Sequence, residues 1–274
     1  MPVKETLQHV EQMVDASPVT DVTGTFQRWE RLLTELRTEI GARFELARDP
    51  STEDLESYGD PGNGPGGRLA AHTGPEIDWM VHSWIGDPRT GFVNMHLTVW
   101  LGPHIRVPHL AVALLLWPEG WFYTDAVPRA DLTADAAYFD RYYAPGEAAW
   151  LAHREEHPDF TWFTSRAAFI RASLSPTAYC YSFPPTATNL GVVEEILRGR
   201  VERWLAWVDG AEAVPPGKRA ALAARDLAVR RNIAERDPAN VMGVRMFGQE
   251  TTDRLVRALW GGDRVLPRPS GDLG

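Results

Sequence analysis

The chain has 274 residues, 44% of them hydrophobic, with 37 acidic against 28 basic side chains and a formal charge of −9. This ordinary globular balance excludes a disordered or collagen-like chain, and the acidic excess argues against a nucleic-acid-binding surface. One cysteine, Cys180, excludes an internal disulfide framework and a cysteine-built metal site, and the longest apolar run, residues 110–117, is far short of a bilayer span. The opening Met1-Pro2-Val3-Lys4-Glu5 has neither an apolar leader nor a transit-peptide composition, so the expectation is a cytoplasmic protein without a membrane or nucleic-acid partner.

Phe26, Trp29, Leu32, Leu33, Leu36, Ile40 and Phe44 recur at spacings of three and four, which predicts a helix with one apolar face. A polar loop follows over 49–67. Its glycine-rich run, 59–67, is no dinucleotide site, because no strand precedes it and a strand rather than a helix follows. Strands are predicted over 77–85, 91–101, 110–117 and 121–125. In the second, Val93, Met95, Leu97, Val99 and Leu101 alternate with Phe92, Asn94, His96, Thr98 and Trp100, giving one apolar face and one polar and aromatic face. The connections are too short for helical crossovers, so the sheet is expected to be antiparallel. Residues 110–117 are apolar on both faces, as a strand covered by helices on both sides requires.

Helices are predicted over 133–143, with a Thr cap, and over 145–157. A strand broken at Ser175-Pro176 is expected over 169–183, then helices over 188–209, 216–235 and 249–260, and a frayed tail. Strands followed by helices without alternation give an α+β class: an α/β/α sandwich with a central antiparallel sheet covered by helices on both faces. The expected organisation is one domain over 1–274. It comprises N-terminal helices (1–48), a sheet with inserted helices (66–183), C-terminal helices (188–260) and the tail (261–274).

Several constellations could carry chemistry. His153-Arg154-Glu155-Glu156-His157 fits an inverted zinc-peptidase motif, but Pro158 ends the helix at once, and a solvated helix end is the favoured reading, so no metal is expected. His82, His96, His104 and His109 lie on or near the predicted sheet, as a metal or proton-transfer cluster or as ordinary imidazoles. Cys180 has no charged neighbour in sequence to lower its pKa. Eleven tryptophans suit a flat conjugated ligand but also fill cores. In the segment 225–248, five arginines (Arg225, Arg230, Arg231, Arg236, Arg245) and three acids (Asp226, Glu235, Asp237) converge where a helix ends at Asp237-Pro238. This is either a turn with surface ion pairs or an anion-binding pocket with one carboxyl kept as a proton donor.

Ordered short matches resemble the red chlorophyll catabolite reductase family, in the ferredoxin-dependent bilin reductase superfamily. They are Ile77-Asp78 with Ser83-Trp84-Ile85, Pro128-Arg129 with Asp131-Leu132, Tyr142-Tyr143, and Arg171-x-Ser173-x-Ser175-Pro176-Thr177-Ala178. Arg225-Asp226, Arg230-Arg231, Asp237 and Arg245-Met246-Phe247-Gly248 complete the series. The resemblance implies a pocket between sheet and C-terminal helices that takes a linear tetrapyrrole. It implies no bound cofactor, ferredoxin as a transient external electron donor, and Asp237 as the catalytic proton donor. Around the substrate it places Ala113, Leu174, Ser175 and Phe247, with Arg171 or Arg245 on the propionates. It also allows a homodimer. Two departures stand out. Ala113 replaces a family Glu, leaving His96 or His82, or water, to supply the second proton, and Leu174 replaces a residue that is aromatic in some members. The acidic net charge needs a local patch from Arg225, Arg230, Arg231 and Arg236 if ferredoxin is to dock. The resemblance points to a bacterial-type relative. Three readings remain open at this point. They are a tetrapyrrole reductase, a cofactor-free tailoring enzyme (cyclisation, isomerisation or oxidation) for another flat conjugated metabolite, and a non-catalytic tetrapyrrole-binding protein.

Overall fold

A computed structural model describes residues 4–15 and 17–261; the tail expected to fray lies, from residue 262 on, outside the described residues. Ten strands form one sheet: β1 (Glu5–Gln8), β2 (Ala47–Arg48), β3 (Tyr58–Gly59), β4 (Gly66–Thr73), β5 (Ile77–Asp87), β6 (Phe92–Leu101), β7 (His109–Leu116), β8 (Gly120–Val127), β9 (Thr161–Ser165) and β10 (Tyr179–Phe183). Their order across the sheet is β1-β9-β10-β8-β7-β6-β5-β4-β2, with β3 also on β4. All pairs are antiparallel except β1 on β9, which is parallel. The short connections therefore give the meander expected from the sequence, and three of its strands come from the first 65 residues, where helices and loop are predicted.

Helices cover both faces. On one lies α2 (Thr23–Arg43), whose Trp29, Leu32, Leu33, Leu36 and Ile40 are buried as their spacing requires; the short α1 (Val10–Asp15) ends at Asp15, which pairs with Arg245. The α2 side also carries α3 (Ala136–Tyr142), α4 (Glu147–Glu156) and α6 (Ala187–Asp209). The larger core lies here, between α2, α6 and the inward face of the sheet, where Val93, Met95, Leu97 and Val99 of β6 are fully buried. The alternation read from the β6 sequence is thus the observed one. The opposite face is covered by α7 (Pro216–Glu235) and α8 (Asn240–Trp260), with α5 (Ala168–Ser173) beside them.

Three elements differ from the sequence expectation. Residues 169–183 are not one broken strand: α5 and β10 flank Ser175-Pro176, and β9 precedes them. A short apolar run does not distinguish helix from strand by its period, and α5 is fixed by Arg171, whose guanidinium donates to the carbonyls of Ser165 and Arg166. The cap of α3 is Asp135, which accepts from the Tyr138 amide, while Thr133 belongs to a turn on Asp131. Helix α8 begins nine residues before the expected start and bends at Gly248 (φ 80°, ψ 171°), a backbone conformation that favours glycine. The bend folds the two halves together: a Cβ on Gly243 would meet Thr252 at 3.0 Å, although nine residues of straight helix span about 13.5 Å.

Candidate active site

The face of the sheet under α7 and α8 is floored by side chains that alternate with the core residues. One row runs straight across five strands: Ser83, His96, Ala113, Tyr123 and Cys180. The next row holds Val81, Thr98, Ala111 and Asp125. At the centre, on β7, both rows carry only a methyl group. That is why the sheet and helices leave space there instead of meeting. Two adjoining chambers of about 160 and 190 Å³ occupy it. They share Asn94, His96, Thr98, Trp100, Ile233, Asp237 and Ala239. The bend in α8 walls the first with Met242, Met246 and Leu255, and α5 walls the second with Ile170, Ser173 and Leu174. The lining is mainly apolar with a few convergent polar groups, as in small-molecule sites generally.

Asp237 lines both chambers and, among the described residues, is the one carboxylate that lines either. It sits in the short link between α7 and α8. Pro238 stops α7 from continuing, and Asp237 Oδ1 accepts from the Ala239 amide at 2.8 Å, an Asx turn that fixes its direction. Facing it from the floor is His96, whose burial pushes its pKa down to about 4. At neutral pH this imidazole is uncharged, able to donate one hydrogen bond and accept another. Beside it, Asn94 Oδ1 is buried without a hydrogen-bond partner, an acceptor left for a ligand N–H.

The chambers hold one guanidinium, Arg230, which pairs with Asp78 at 2.8 Å and lies 5.9 Å over the Trp100 ring. Sequence reading left Arg230 open between a surface patch and an anion-binding pocket. Its position four residues after Asp226 puts both on the sheet-facing side of α7, a signal available from spacing alone. Being buried, Arg230 contributes nothing to a docking surface, where Arg231 and Arg236 are exposed.

Several expected site residues stand elsewhere. His82 pairs in register with Leu97, so it projects to the opposite face, 3.5 Å from Glu30; this one-residue parity excludes it from the chambers. Arg245 is exposed and bound to Asp15 at 2.8 Å, and Arg171 is exposed and committed to backbone carbonyls. Phe247 packs edge-on against Tyr58, 5.5 Å between centroids, outside both linings. Ser175 is buried beneath the second chamber, donating to Asp125, while Ala113 and Leu174 do line it. The remaining histidines disperse. His104 lies near Glu76, and His109 is sealed against Asp226 and Arg129. His153 is ringed by Phe160, Tyr179 and Tyr181. Among the described residues no group of side chains is arranged to hold a metal ion. Cys180 is buried, and that burial pushes its thiol pKa far up, away from nucleophilic use.

The model of one family, red chlorophyll catabolite reductase (RCC reductase), matches residues 29–260. The chain belongs to this family. It is therefore an oxidoreductase. It is 27% identical to red chlorophyll catabolite reductase 1, chloroplastic, of Oryza sativa subsp. japonica, over 79% of this chain and 71% of that protein. It is 29% identical to red chlorophyll catabolite reductase of Hordeum vulgare, over 48% of this chain and 69% of that protein. Among solved structures it is similar to phytochromobilin synthase from tomato, in complex with biliverdin. The TM-score is 0.75 at 15% identity, covering 88% of this chain and 85% of the other, a likeness of fold. The expectation of a cytoplasmic protein is overturned by the rice relative, which is chloroplastic. These relatives are plant proteins, so the bacterial-type reading finds no support in them. Among the described residues no helix is long and apolar enough to cross a membrane.

Proposed function

We propose that this protein reduces a linear tetrapyrrole, a bilin or a chlorophyll catabolite, with electrons delivered singly by ferredoxin and without a resident cofactor. The observation that carries the reading is the position of Asp237. A lone carboxylate closes a largely apolar slot from above, over a floor of Asn94, His96 and Ala113, in a chain of the red chlorophyll catabolite reductase family. A flat conjugated ring system laid on that floor meets the Asp237 carboxyl on one face. Bound substrate excludes water from the carboxyl, which favours its neutral form and keeps a proton ready near neutral pH. Asn94 Oδ1 and the neutral His96 offer hydrogen bonds to pyrrole and lactam groups, and Arg230, paired with Asp78, adds positive charge to the wall of the first chamber.

The test mixes the purified chain with biliverdin or red chlorophyll catabolite, with and without reduced ferredoxin, and follows the visible spectrum. Bleaching that requires ferredoxin is expected. Asp237→Asn should bind pigment with a similar spectrum while turnover falls by about 100-fold or more. Full turnover in that variant removes Asp237 from the chemistry. A stable, shifted spectrum with no turnover makes the protein a pigment binder, and no response to either pigment leaves a tailoring enzyme for another conjugated metabolite.

A further inference from the structure

A two-electron reduction of a conjugated pigment takes up two protons, and one carboxylate in the slot accounts for one of them. The floor carries a second acidic pair two positions apart on β8, hence on one face. Tyr123 lines the second chamber in the same row as His96, and only the methyl of Ala113 stands between them. Its hydroxyl lies 3.3 Å from Asp125 Oδ2. Asp125 is 0% exposed, and among the described residues it forms no ion pair. Its remaining partners are both from Ser175, whose amide donates to Oδ2 at 2.9 Å and whose hydroxyl contacts Oδ1 at 2.5 Å. Arg200 acts on it only from a distance, its guanidinium being bound to the Thr177 carbonyl.

We propose that Tyr123 is a second proton source in this slot, and that Asp125 is the positioning residue that orients and refills it. The inference rests on the reductase reading above. The pigment takes one electron from a first reduced ferredoxin and the Asp237 proton, then one electron from a second ferredoxin and the phenolic proton of Tyr123. Two ferredoxins are oxidised, two new bonds to hydrogen form on the pigment, and one of its double bonds is lost. The phenolate recovers a proton from the Asp125 carboxyl along the 3.3 Å contact. The carboxylate left behind is held by the amide and hydroxyl of Ser175, and solvent restores both acids after product leaves. Burial raises the pKa of Asp125, so its carboxyl holds a proton more readily than an exposed aspartate does.

The experiment uses the full chain, biliverdin and red chlorophyll catabolite as separate probes, and photoreduced ferredoxin, read by rapid-mixing absorbance and electron paramagnetic resonance. Tyr123→Phe should bind pigment with wild-type affinity, complete the first step normally, and stall as a pigment radical, with the second step slowed about 100-fold or more. Asp125→Asn, which keeps an acceptor for Ser175, should complete a first turnover and slow in later ones. Wild-type rates through both steps in Tyr123→Phe overturn the role. Equal loss of affinity and of both steps also overturns it, since that marks a tyrosine needed only for structure. If the wild-type chain bleaches neither pigment, the reductase reading falls and takes this role with it. Bleaching by the wild type together with an unaltered Tyr123→Phe removes this role alone.

Discussion

Ala113 shows how much a single methyl group decides. From the sequence it reads as a carboxylate lost; in the fold it is the low point of the floor, flanked in register by His96 and Tyr123. With Ala111 it keeps the centre of the sheet from touching the helices. Filling that point should therefore act on the ligand rather than on the fold. Ala113→Leu places its side chain in space that already exists, so its stability cost is expected to stay below about 1.5 kcal/mol. Pigment titration should show affinity reduced at least about tenfold, and thermal unfolding should show a midpoint within a few degrees of the wild type. Equal affinity in that variant would mean that the pigment lies elsewhere. The turn at Asp237 was legible at this scale because Asp-Pro ends a helical period, while its place in the pocket came from the family resemblance. Asp125 and Tyr123 were overlooked, although an acid in an otherwise apolar strand is itself a signal, since buried carboxylates are rare without partners. His82 and His96 were indistinguishable until the register of β5 against β6 fixed their parity.

Elements were legible where one period dominates. The alternation in β6 and the three-four spacing in α2 each name the buried face correctly, because burying the wrong face would expose a whole row of apolar side chains. Legibility failed at α5 and at the first half of α8, where the chain is short or carries glycine and the tertiary contact decides. Gly248 has open space around it, so glycine is required there for its φ of 80° and not for room. Gly248→Ala should cost about 1 kcal/mol or more through the left-handed backbone alone. The bend also brings Thr252 and Leu255 to the first chamber, beside Met242 and Gly243. Chemical denaturation should thus show reduced stability, and pigment binding should weaken in the same variant. A substitution without effect on either would mean that the bend is set elsewhere, for instance by the Trp79 indole, which donates to the Ala258 carbonyl at 2.9 Å.

At the scale of the molecule the layer order was legible, since a strand apolar on both faces demands helices on both. What no periodicity reveals is the buried polar seam that clamps α7 to the sheet. Arg129, with its side chain sealed from solvent, donates to Asp226 at 2.6 Å and to the carbonyls of Ile105 and Gly102. His109 Nδ1 accepts from the Leu101 amide, and its Nε2 lies 3.3 Å from Asp226. Arg129 and Asp226 are 97 residues apart in sequence, so only the fold brings them together. Buried imidazoles give the protein a definite response to acid. Burial pushes His72, His96, His109 and His153 down to about 4, against an ordinary value near 6.5. Between those values the unfolded chain binds protons that the folded one refuses, so stability falls as pH drops from about 6.5 to 4. The slope approaches about 1.4 kcal/mol per pH unit for each such histidine. Burial pushes the Asp226 carboxyl up, but His109 and Arg129 outweigh it and hold it at about 2. Its contribution therefore persists above pH 4 and fades only as pH falls toward 2. Urea unfolding at pH 7.5, 6.0, 5.0 and 4.5 should show a steady loss beginning near pH 6.5. Because burial rather than surface charge sets these shifts, added salt should leave the slope almost unchanged. A flat profile across that range would mean that these histidines are charged inside the fold, with Asp226 paired to His109 and Arg129 as cations on either side.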